Sequence, residues 1–161
     1  MVCVFGLFED IDHFIYFCLM LSMKTKYGIK ALVYLYKHDS SAPISISDIS
    51  EAKNIPRKFL ETILVNLKKG GILGSKKGKY GGYYLRKDPH AIFLSEIFRL
   101  LNGPIAMIPC TSLNFYEKCD DCVDEEACRV NRLMIEVRDS MLSILEHKNL
   151  VELVEQNISI D

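Results

Sequence analysis

The sequence predicts a mainly α fold with one small β-hairpin, and three features of its 161 residues point there. Apolar residues recur at three- and four-residue intervals in several segments, the pattern of helices that bury one face. One stretch, "ILGSKKGKYGGYYLRKD", instead reads as two short strands around a glycine-rich basic turn. Pro56, Gly70–Gly71 and Gly103 punctuate the boundaries where helices start or stop.

Residues 1–22 form an apolar extension. It carries Glu9, Asp10 and Asp12, has no positive leading region, and leaves only about ten uncharged residues after His13. That is too short to span a bilayer and is unlike a signal peptide. The expectation is that translation naturally begins at Met23 and that the extension is a start-site artefact; a dimer-packing or membrane-surface helix is the alternative.

The first helix is expected over residues 25–38, where Ile29, Leu32, Val33 and Tyr36 share a face and Lys26, Lys30 and Lys37 lie off it. "DSSAPIS" is a turn. A short second helix follows, with Ser47 as N-cap and Asp48 in its first turn, ending near Asn54. Pro56 then suits the first position of a third helix, in which Phe59, Ile63, Leu64 and Leu67 share a face and which Gly70–Gly71 stops.

Two helices joined by a tight turn, the second turning Arg57, Lys58, Glu61 and Thr62 outward, match a helix-turn-helix. A three-helix bundle with solvated charges would show the same spacing. The hairpin separates the two readings: a strand ending near Lys76, a tip from Lys77 to Gly82 and a return from Tyr83 to Arg86 make a wing. Gly78, Gly81 and Gly82 permit positive φ and close approach to a phosphate, and Lys76, Lys77, Lys79 and Tyr80 supply cations and an aromatic there. A merely solvated loop is the alternative for this tip.

Charge supports a nucleic-acid partner for the first half. Residues 24–87 hold fourteen Lys or Arg against four acids, whereas residues 88–161 hold six against fourteen. The front half is basic enough to seek a polyanion and the back half is not. An enzyme finds little support: His38, His90 and His147 are dispersed, no nucleophile lies in a recognisable base motif, and no phosphate-binding glycine loop opens a helix.

After Asp88–Pro89, "LSEIFRLLNG" reads as a short amphipathic helix, and residues 129–155 as one long helix with Leu133, Val137, Met141, Ile144, Leu145 and Leu150 along one side. Between them, "CTSLNFYEKCDDCVDEEAC" holds four of the six cysteines: Cys110, Cys119, Cys122 and Cys128. Clustered thiols without a secretory signal favour metal or redox chemistry over a disulfide scaffold. Soft sulfur ligands select iron–sulfur clusters, zinc or copper(I). Zinc sites more often use two Cys-x-x-Cys pairs and only Cys119 and Cys122 are so spaced, but spacing leaves the choice open. A disulfide switch without metal is a further reading. Asp120, Asp121, Asp124, Glu125 and Glu126 read as a solvated loop surface, since carboxylates favour harder ions; Cys3 and Cys18 read as incidental.

"KYGIKALVYL", "ISDISEAKNIPRKFLETILVNLKKGGIL", "KGKYGGYYLRKD", "LSEIFRLLNGP" and the clustered cysteines together resemble the Rrf-two family of bacterial winged-helix transcription regulators, from Met23 to about Val154. The resemblance implies a winged helix-turn-helix DNA-binding domain at 23–88, a connecting helix and loop at 89–109, a cluster-binding loop at 110–128, a dimerisation helix at 129–155 and a tail at 156–161. It implies a cytoplasmic homodimer, with no membrane association, on a palindromic double-stranded DNA operator. Glu61 falls where the family has a base-reading glutamate, and Lys77 stands in place of a wing arginine, keeping the charge and losing the planar fork. It also implies an iron–sulfur cluster, two-iron or four-iron, sensing cluster supply, oxidant or nitric oxide. Asn131 stands where one branch has a ligating histidine and Lys26 where another has an acid. Cys110 or Cys119 is therefore expected to complete an all-thiolate site with Cys122 and Cys128, with structural zinc as the alternative.

Overall fold

The computed structural model describes residues 21–38 and 42–155. The extension before residue 21, with Cys3 and Cys18, part of the turn before Ala42, and the tail lie outside the described residues. The chain runs α1 (Met23–Lys37), α2 (Ile46–Lys53), α3 (Arg57–Lys69), β1 (Leu73–Lys76), β2 (Gly82–Leu85), α4 (Leu94–Leu101), α5 (Arg129–Leu145) and α6 (Leu150–Glu155), with single 3-10 turns at Pro89–Ala91 and Pro109–Thr111.

Each helix start has a local cause. Ser22 caps α1, its Oγ accepting the Thr25 N–H at 3.2 Å, and its own N–H donates to Asn102 Oδ1 at 3.3 Å. Ser45, not the expected Ser47, caps α2 by accepting the Asp48 N–H at 3.1 Å. The shift follows from Ile44, whose backbone pairs with Tyr83 in a two-bond bridge of 2.9 and 2.8 Å and so leaves the next residue at the helix edge. Asn54 ends α2 in the left-handed region at φ 50, and Pro56 takes the cap position of α3.

The core lies among α1, α3, α4 and β1. Leu32, Ile63, Leu64, Leu67, Ile72, Leu73 and Ile97 are fully or almost fully buried there. Two expected faces are rotated. In α1 the buried line is Thr25, Gly28, Ala31, Leu32 and Leu35, while Ile29, Val33 and Tyr36 are only half-buried. A methyl at Gly28 would collide with Leu101, so α1 and α4 meet through the bare backbone of this residue. In α3, Leu60 takes the buried place expected of Phe59, which stands exposed with its ring edge-on to Tyr27 at 5.8 Å.

The long helix expected over 129–155 is two helices. The chain leaves α5 after Leu145, and residues 148–150 lie beside 92–94: Leu94 N–H donates to Lys148 O and Leu150 N–H to Ile92 O, both at 2.9 Å. Asn149 and Glu152 then start α6 with a reciprocal capping box, Asn149 Oδ1 accepting the Glu152 N–H at 3.0 Å and Glu152 Oε2 the Asn149 N–H at 3.1 Å. Leu150 is fully buried in the core of the first half. Among the described residues no helix is long and apolar enough to cross a membrane.

Candidate nucleic-acid interface and thiol loop

β1 and β2 pair antiparallel with Leu73 opposite Leu85 and Lys76 opposite Gly82, which leaves residues 77–81 as the tip of a wing. Gly78 has φ +110 and its carbonyl accepts the Gly81 N–H at 2.9 Å, closing the turn. Of the three wing glycines expected to need conformational freedom, only Gly78 uses it. Gly82 is required for another reason: a methyl there would strike the Ile44 carbonyl. At the tip, Tyr80 is 83% exposed with Lys79 Nζ 5.6 Å from its ring centre, and Lys76 Nζ lies 5.9 Å from the ring of Tyr84.

Arg57, Lys58, Glu61 and Thr62 all stand on the solvent side of α3, and Lys76, Lys77, Lys79 and Tyr80 on the exposed wing. The helix and wing are tied together by a residue that sequence reasoning passed over. Lys68, in the last turn of α3, donates to Ser75 Oγ in β1 at 2.7 Å. Glu61 also acts across the gap: with burial as the larger cause, its charge holds the Tyr83 phenol of β2 above the ordinary range. Arg57 Nε lies 3.6 Å from Glu61 Oε1, an exposed pair worth only about 0.3–0.5 kcal/mol, so little fixes the Glu61 carboxylate in place.

The four cysteines are all half-buried free thiols. Asn131, buried in the first turn of α5, links two of them: its Nδ2 donates to Cys110 Sγ at 3.3 Å and its backbone N–H to Cys128 Sγ at 3.4 Å. The bond with Cys110, followed by burial and negative neighbours, pushes the Cys119 thiol up to about 11; burial and then Cys128 push Cys122 up as well. The acids behave as a surface. Asp124 Oδ1 accepts the Glu126 N–H at 2.9 Å, and Tyr116 donates to Glu125, which holds the phenol above its ordinary range.

The loop is pinned to α5 by Arg138, whose Nη1 donates to Thr111 O at 2.7 Å and whose Nη2 lies 2.7 Å from Asp139. Another side of α5 is largely uncovered among the described residues. Val130, Leu133 and Ile144 are 58%, 54% and 56% exposed and, with Val137 and Met141, make one apolar stripe at three- and four-residue steps.

A winged head with this connectivity is matched by a family model described as Rrf2, iron-dependent transcriptional regulator, over residues 21–156. The chain belongs to the Rrf2 family. An Rrf2-like HTH-type transcriptional regulator of Rhodobacter capsulatus is 39% identical over 84% of this chain and 92% of its own. The structure of CymR, the global cysteine regulator of Bacillus subtilis, superposes with a TM-score of 0.68 at 29% identity, covering 84% of this chain and 95% of that one. IscR of T. potens gives a TM-score of 0.63 at 26% identity over 85% and 87% of the two chains. This Rrf2 chain is thus a DNA-binding transcriptional regulator with a winged-helix head, and not an enzyme.

The family's iron-dependent description raises the question of a metal group in the thiol loop. Four sulfur donors suit soft metals in their chemistry. Among the described residues no three His, Cys, Asp or Glu side chains are grouped as metal ligands.

Proposed function

We propose that this Rrf2 regulator works as a homodimer in the cytoplasm, reading a palindromic operator through α3 and the wing and receiving its signal through the thiol loop. The observation that carries the DNA-reading surface is the pairing of α3 with the wing through Lys68 and Ser75, which presents the exposed Arg57, Lys58, Glu61 and Thr62 beside Lys76, Lys77, Lys79 and Tyr80. Cations on the wing neutralise phosphates or enter the minor groove, while Glu61 accepts from cytosine N4 in the major groove. The apolar stripe on α5 supports the dimer, since two copies would cover it and set two heads at half-site spacing.

The signal reading has two forms. An iron–sulfur cluster on Cys110, Cys119, Cys122 and Cys128, two-iron or four-iron, is supported by four soft donors in one loop and by the iron-dependent description of the family. A thiol-redox loop, or one closed by structural zinc, is the second form, supported by four half-buried free thiols in one loop.

The operator is obtained by selection from a random duplex pool. On it, Lys77→Ala is expected to weaken binding and lower the salt slope by about one, while Glu61→Gln shifts the preferred bases. Unchanged affinity and slope for Lys77→Ala would remove the wing, and a uniform loss on all operators for Glu61→Gln would remove base reading. Iron, sulfide and zinc assays on anaerobically purified protein, repeated after Cys122→Ala, decide the signal: iron with sulfide lost in the variant supports the cluster form.

A further inference from the structure

Strand alternation divides the wing into two faces. Leu73, Ser75, Tyr83 and Leu85 point inward: Leu73 belongs to the core, Tyr83 and Leu85 pack against it, and Ser75 takes the Lys68 bond from α3. Gly74, Lys76 and Tyr84 therefore stand on the outer face, turned away from α3. A methyl at Gly74 would strike the Tyr84 ring, so the ring lies directly over this bare backbone, and Lys76 Nζ rests 5.9 Å from the ring centre. Arg86 continues the alternation, its N–H still donating to Ile72 O at 3.0 Å and its side chain exposed. Among the described residues neither Lys76 nor Arg86 has an ion pair. Asp88, the acid nearest to Arg86 in the chain, is engaged in the next turn, where it accepts the His90 N–H at 3.0 Å.

From this placement we infer that the outer face of the wing is a second phosphate-binding surface, on which Lys76 and Arg86 hold the DNA backbone flanking the half-site that α3 reads. The inference rests on the DNA-reading proposal and extends it to Tyr84 and Arg86, which lie outside the surface already described. Two exposed cations with no acid to neutralise them suit a polyanion. With α3 in the major groove and the wing tip in the minor groove beside it, the inner face of the wing meets the strand that separates the two grooves. The outer face meets the other strand of the minor groove, which runs away from α3 into the flank.

Lys76 is level with Gly82, and Arg86 stands four residues beyond Gly82, about 13 Å away at the rise of a strand. On duplex DNA that distance is the rise of about four base pairs, so the two side chains reach different phosphates. Arg86 brings a planar fork that a phosphate accepts through two hydrogen bonds. Tyr84 is a positioning residue: its ring attracts the Lys76 ammonium and limits where that flexible side chain can go.

The test uses the full chain and two duplexes made from one pool-selected operator, a long one with about ten base pairs on each side of the selected bases and a short one with none. Affinity is measured on both across a salt series. Arg86→Ala and Lys76→Ala are each expected to weaken binding to the long duplex about tenfold and to lower its salt slope by about one for each copy bound, leaving the short duplex unchanged. Tyr84→Leu should lose affinity on the long duplex alone, and Tyr84→Phe should bind both as the wild type does. A loss of equal size on the two duplexes, or no loss on the long one, overturns the contact at the residue replaced. Wild-type protein that binds the short and long duplexes equally well overturns the outer-face surface and leaves the regulator reading intact. Wild-type protein that recovers no duplex from the pool overturns the regulator reading and this surface with it.

Discussion

Cys119 keeps its proton more firmly than an ordinary thiol because Cys110 bonds to it, the fold covers it, and Asp121 and Cys122 add negative charge. A thiol raised from 9.0 to about 11 favours the folded loop while it is protonated. That contribution is complete below pH 9.0 and is lost as pH rises through about 11. Alkylation of Cys119 by iodoacetamide should accordingly stay slow past the pH where a free thiol reacts, and Cys110→Ser should restore ordinary reactivity. Peptide-resolved alkylation rates between pH 7 and 11 check this, and a wild-type Cys119 that reacts like a free thiol at pH 8 would contradict it. Residues such as Lys77 and Glu61 were legible in the sequence because exposure on a helix or tip follows from local spacing. Asn131 and Arg138 were not legible as contacts: their partners Cys110 and Thr111 lie more than twenty residues away, and no local pattern encodes that approach.

Between residues 144 and 153 apolar spacing continues without proline or glycine, which is why periodicity reads through the break from α5 to α6. What stops the helix is tertiary: the backbone of residues 92–94 takes the hydrogen bonds that a continuous helix would have used. The one local trace is the capping box of Asn149 and Glu152. Asn149→Ala should cost about 1 kcal/mol, the ordinary loss for a capping side chain, with little change in helix content. Urea unfolding followed by circular dichroism measures it, and an unchanged midpoint would show that strand-like pairing alone holds the junction. The same reasoning covers α1, where several apolar positions compete for the core and Gly28 decides the outcome by letting α4 approach. Helix existence was readable at this scale, but helix rotation was set by the neighbour.

For the whole molecule, the α5 stripe and the buried α6 make opposite predictions about the two ends of the C-terminal segment. Leu133→Glu, on the exposed stripe, should leave the fold intact and shift sedimentation from dimer to monomer, weakening operator binding at least tenfold. A variant that stays dimeric would place the interface elsewhere. Leu150→Ala, in the core, should cost about 2–5 kcal/mol without touching that stripe. A thermal melt reads it directly, and an unchanged transition would mean that α6 contributes nothing to the head. Charge and motif reading located the DNA-binding head and the thiol loop as separate regions; it could not show that the chain returns to the head after leaving the loop.

That return has a consequence for synthesis. Because Leu150 fills a core built from α1, α3 and α4, the head lacks part of its interior until nearly the last described residue has been made. On the ribosome, the wing and recognition helix emerge early, but their support is complete only after the cysteine loop has also left the exit tunnel. A nascent chain therefore does not hold a finished winged head before its cysteine loop exists.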